Sequence, residues 1–145
     1  MATLADVQAV VTDRCGALLA EARTATGDAT KPSVDQCIGW AVRMLGYTTA
    51  SILAPVTAEV TAVAGSHVDA LLDLAELRTL ESILTNLNSV DLTTGPVSED
   101  LSDLPDRVAK IAETKRRNVA TMWGRYLATP LDSTADRRPA RMKTL

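Results

Sequence analysis

The chain has 145 residues, 46% of them apolar, and carries 15 Lys and Arg against 18 Asp and Glu for a net charge of −3. That length suits one domain with a real core, and an apolar set with no Phe, two Trp and two Tyr favours closely packed helices over an aromatic-rich sandwich. No apolar run is long enough to span a bilayer, and "MATLADVQAVV" lacks the basic region that opens a signal segment, so a soluble, intracellular protein with no membrane partner is expected.

The first helix is expected from Thr3, a good N-cap, to about Arg23, with Leu4, Val7, Val11, Cys15, Leu18 and Ala22 as its apolar stripe. "ATGDATKP", Ala25 to Pro32, reads as a polar loop. Ser33 opens a second helix, with Gln36 completing a capping box, and Gly46 is placed to end it. Its stripe is Val34, Cys37, Ile38, Ala41 and Leu45. In "YTTASILAPVTAEVTAVAG" the β-branched residues and Pro55 suggest a short extended piece, then a brief helix from about Thr57 to Ala64. Ser66 is expected to cap a third long segment reaching about Asn88. Gly95-Pro96 marks a turn. Ser98 should cap a last helical pattern to about Leu127, in which Leu101, Leu104, Val108, Ile111, Ala112, Val119, Met122, Trp123 and Tyr126 keep one phase. Pro105 lies inside it, and the continuous phase favours a kinked long helix over a break. Lys115 interrupts the stripe and is expected to bury its stem while its amine stays in water.

The segment "DALLDLAELRTLESIL" places Asp69, Asp73 and Glu76 within about one quadrant of a helix. Carboxylate metal sites in bundles also draw acids and His from facing helices, and here the single His, His67, stands outside any ExxH spacing. A salt-bridged face is the better reading. The same face turns apolar at Leu80, Ile83, Leu84 and Leu87, while Leu71, Leu72, Ala75, Leu74 and Leu77 cover the other sides. A helix apolar nearly all round is a buried one, either central in its own bundle or packed against another subunit. Arg78, Glu81, Asp73 and Glu76 then become candidates for ion pairs between helices or between subunits.

Other chemistry finds little footing. Cys15 and Cys37 lie on apolar stripes without CxxC or Cys/His spacing, and scattered glycines make no phosphate loop. There is no GxSxG elbow. Neither catalysis nor a metal or other cofactor is expected.

Charge is divided unevenly. Residues 1–114 hold 7 Lys and Arg against 16 Asp and Glu, a balance of −9, whereas residues 115–145 hold 8 against 2, or +6. From Ala128 onward "ATPLDSTADRRPARMKTL" is too polar to order itself alone, so the chain divides into a helical body, 1–127, and an extended basic arm, 128–145. Extended, that arm reaches on the order of 60 Å. Its cations can meet nucleic acid or an acidic protein surface. The second suits the anchors Leu131, Met142 and Leu145 set among Arg137, Arg138, Arg141 and Lys143. Trp123 with Tyr126, three apart, is either core or a further docking anchor, core being the better reading.

"LLDLAELRTLESILTNLNSVDLTTGPVSEDLSDLPDRVAKI", with its acidic-Leu helix, its "VDLTTGP" loop and its "SEDLSDL" helix opening, resembles the central part of the head-to-tail connector proteins, or adaptors, of tailed bacteriophages. "SVDQCIGWAVRMLGY" is similar to their second helix, and the likeness spans roughly residues 33–115. Pro105 departs from the pattern. The resemblance implies an all-α small bundle with a long C-terminal helix and an extended arm. It further implies a virion protein of the portal vertex or neck, made in the host cytoplasm and forming a homo-oligomeric ring, typically a dodecamer, under the portal protein. Such a ring extends the DNA channel, lets genome DNA pass without sequence-specific binding, and joins the portal to stopper or tail-completion proteins. The alternative is a small helical regulatory or DNA-associated protein whose basic tail binds nucleic acid.

Overall fold

The computed structural model describes residues 2–27, 31–50, 55–88, 104–128 and 131. Among them the protein is all-α: α1 (Leu4–Thr26), α2 (Val34–Met44), the single turn α3 (Thr57–Thr61), α4 (Val68–Asn88) and α5 (Leu104–Trp123), with 3-10 turns at Gly65–His67 and Gly124–Tyr126. Helix α4 runs through the middle and is covered by α1, α2 and α5. Its Leu71, Leu74, Ala75, Leu77 and Ile83 are fully buried, so the all-round apolar sequence is satisfied within one chain. Helices α2 and α5 run antiparallel to it. Cys37 and Trp40 face Ser82 and Arg78 from α2, and Arg116 and Trp123 face Glu81 and Asp73 from α5.

Several ends follow from local chemistry. Thr3 and Asp6 exchange side-chain and backbone hydrogen bonds, closing a capping box on α1. At Ser33 the hydroxyl accepts from the Gln36 N–H at 3.4 Å, half of the expected box. Gly46, at φ +90°, turns the chain after α2 while its N–H and that of Tyr47 donate to Arg43 and Val42 carbonyls. Glu59 holds α3 by accepting the N–H groups of Val56 and Ala50. Ser66 does not cap α4. It lies within the 3-10 turn that runs straight into the helix, where the His67 N–H donates to the Ala64 carbonyl at 2.8 Å.

Two packing expectations change. In α1 the second half buries Leu19 (3% exposed) where Leu18 was expected. The backbone breaks between the halves at Gly16 (φ 25°, ψ −106°), so one helical wheel does not carry across. Tyr126, in the 3-10 turn after α5, is 45% exposed, and within α5 Ile111 and Met122 are 44% and 58% exposed. This helix packs chiefly on α4, which covers only the strip through Leu104, Val108, Ala112 and Val119. Pro105 is the second residue described for α5, and the turn before it, which the expected kink involves, lies outside the described residues. Ser98, Leu101 and the Gly95-Pro96 turn lie outside the described residues.

Gly16 supports a direct test. A Cβ there would meet nothing within 4 Å, yet the positive φ is one that side-chain-bearing residues avoid. Gly16→Ala should therefore cost about 1–2 kcal/mol through backbone strain alone, read as a lower urea midpoint with an unchanged slope.

The body continues past the expected boundary at residue 127. The Ala128 N–H donates to the Met44 carbonyl at 2.7 Å, and Leu131, 8% exposed, joins the core cluster. Leu131, expected as an anchor of the separate arm, packs instead into its own body. Arg137, Arg138, Arg141, Met142, Lys143 and Leu145 lie outside the described residues.

Candidate functional site

The densest polar cluster joins α1, α4 and α5. Helical spacing puts Asp73 and Glu76 of α4 beneath Lys115 of α5. The Lys115 ammonium lies 3.2 Å from Asp73 Oδ1 and 2.8 Å from Glu76 Oε2. Arg14 of α1 reaches the same Oδ1 at 3.0 Å, and the Trp123 indole N–H donates to Oδ2 at 2.8 Å. Lys115 thus does not send its amine into water. Asp73 and Glu76 each have a cationic partner in place, and three helices are tied at one point.

Protonation follows from these partners. Burial pushes Asp73 up, but the Trp123 hydrogen bond and the Lys115 and Arg14 charges outweigh it and hold the carboxyl below its ordinary range. Burial pulls Lys115 down, and the hydrogen bonds and charges of Glu76 and Asp73 more than restore it, leaving it raised. Both groups stay charged at neutral pH, which suits an ion network and gives neither group a proton to exchange near pH 7.

The remaining candidates separate. Glu81 pairs with Arg116 across α4 and α5. Arg78 meets no acid among the described residues and lies over the Trp40 ring, 5.1 Å from its centroid. His67 sits apart from the carboxylates: its Nδ1 shares a 3.0 Å hydrogen bond with the Tyr47 hydroxyl, and its ring lies 5.9 Å from that of Tyr126. Trp123 is half-buried and Tyr126 exposed, their rings 6.2 Å apart. Among the described residues no three His, Cys, Asp or Glu gather as a metal site would require. Sequence reasoning missed the Trp40–Arg78 stack, whose only signal is that residues 40 and 78 each lie at the rim of a helical stripe.

Both cysteines are free and buried. Burial, with the Glu76 charge adding to it, pushes the Cys15 thiol up to about 12, and burial raises Cys37 as well. Neither should react with Ellman's reagent in the native protein, and both should react once it is unfolded in guanidinium. Rapid labelling of either thiol in the folded chain would contradict this packing.

Fold and cluster together define a small all-α bundle held across its helices by a charged network. No helix among the described residues is long and apolar enough to cross a membrane. No family model, curated protein or solved structure matches the chain.

Proposed function

We propose that the chain is a structural adaptor of the tailed-phage head-to-tail type, assembling as a ring beneath a portal protein and joining it to stopper or tail-completion proteins around the DNA channel. The reading rests on the resemblance across residues 33–115, the stretch that supplies α2, α4 and most of α5. Charge division is the observation that carries it: an acidic body disfavours contact with passing DNA, while a basic end seeks an acidic protein surface. The first part of that basic end is already occupied, because Lys115 and Arg116 pair with Asp73, Glu76 and Glu81 of the body. Docking on the portal then falls to Arg137, Arg138, Arg141 and Lys143, with Met142 and Leu145 as anchors.

Deletion of residues 132–145 should leave helical circular dichroism and melting unchanged but abolish attachment to the cognate portal ring, measured by native mass spectrometry. Deletion from residue 128 should in addition lower the melting temperature, since it removes Leu131 from the core. Full attachment without residues 132–145 would refute the docking role. Tight duplex-DNA binding that falls steeply with salt would favour the tail-binding alternative.

A further inference from the structure

A groove of about 750 Å³ opens between α2 and α4, and at Glu81 it adjoins the ion pair that α4 makes with Arg116 of α5. Its lining includes Lys31, Arg43 and Arg78, with Trp40, Gln36 and Ser82 between them. The body around it holds more than twice as many acids as bases over residues 1–114, yet these three cations form no ion pair among the described residues. Among the described residues Arg43 bonds to the neutral Thr49 hydroxyl, at 3.4 Å, and to no carboxylate. The other cationic side chains facing α4 behave differently: Arg14, Lys115 and Arg116 all have carboxylate partners.

Unpaired cations in an acidic body are a local reversal of charge, and Arg78 is also shaped for recognition. The Arg78 guanidinium lies over the Trp40 ring with Cζ 5.1 Å from its centroid, a cation–π contact that restrains it, and its fork of N–H donors suits bidentate binding of a carboxylate. An Arg backed by an aromatic ring is also the composition typical of interface hot spots. The α4 wall from Arg78 to Asn86 runs about 12 Å at 1.5 Å per residue, room for roughly four residues of extended chain. Gln36 and Ser82 offer side-chain hydrogen bonds to a peptide backbone. Glu81 lines the same groove, with its carboxylate held by Arg116 of α5.

We propose that the groove between α2 and α4 is a docking site for an acidic peptide segment of a partner protein, anchored by Arg78 on Trp40 with Lys31 and Arg43 flanking it. This surface is distinct from the C-terminal arm and does not depend on the adaptor reading. The test is fluorescence anisotropy of the full chain with a short fluorescein-labelled peptide bearing Glu at alternate positions. A control peptide carries Gln in place of each Glu, and a random-sequence DNA duplex serves as competitor. The Glu peptide should bind and the Gln peptide should not. Arg78→Glu and Lys31→Glu should each weaken binding on the order of tenfold, with circular dichroism unchanged because both side chains are exposed. Arg78→Lys, which keeps the charge but loses the planar fork, should bind measurably more weakly than the wild-type chain. Binding indifferent to charge reversal overturns the proposal, and so does displacement of the peptide from this groove by DNA. Loss of self-association in Arg78→Glu with peptide binding unaltered would make the occupant a second copy and likewise overturn it.

Discussion

Asp73→Ala should destabilise the fold by about 2–3 kcal/mol, one of the two largest effects expected of a single substitution. The side chain is 19% exposed and accepts from Arg14, Lys115 and Trp123 at once. Removing it leaves an indole N–H and part of an ammonium without their acceptor, and that desolvation outweighs the loss of Coulomb energy. Asp73→Asn keeps an oxygen for the indole and should cost less. The pH profile gives a second readout. Because the folded Asp73 titrates below its ordinary value near 3.9, its contribution is present at neutral pH and fades as pH falls through the folded value. Lys115, raised, contributes fully below its ordinary value near 10.4 and loses the contribution as pH climbs through its folded value. Urea midpoints should thus form a plateau with an acid and an alkaline limb, and Asp73→Asn should flatten the acid one. An unchanged acid limb would show that Asp73 is no linchpin.

Leu77→Ala should cost more, about 3–4 kcal/mol, or roughly 10 °C in melting temperature. Leu77 is fully buried on the central helix, inside a cluster drawn from α1, α2 and α5 as well as its own helix. Covering helices on several sides resist collapse into the space a deleted isobutyl group leaves, so the cavity term adds to the transfer term. Leu72, partly buried on the same helix, provides the internal control. Its replacement by Ala should cost clearly less. Equal effects at the two positions would mean that α4 is not the centre of the bundle.

At most described helix ends, where short-range chemistry decides, sequence and structure agree, with Ser66 the exception. Thr3 and Ser33 lie at helix starts and Gly46 at a helix end, because capping needs only neighbours three or four residues away. Burial of α4 was legible for a related reason: a helix apolar on every side has nowhere else to go. The opposite happened where a partner had to be chosen from the far side of the chain. Nothing near Lys115 in sequence announces Asp73, 42 residues away, and only the antiparallel packing of α5 on α4 brings the two together. The exposure of Ile111 and Met122 likewise depends on how much of α5 its single main neighbour covers.

Sequence alone therefore determined the all-α class, the burial of α4 and the caps at Thr3, Ser33 and Gly46, since periodicity and capping are local, while the packing showed that α4 is central within its own chain. Tertiary structure decided the rest. It turned three carboxylates that resembled a ligand set into two tied acids and an exposed Asp69. It set Arg78 on Trp40 instead of an acid and drew Leu131 into the core. Charge and apolar surface act over a few ångströms in space, and helix packing is what converts separation along the chain into that distance.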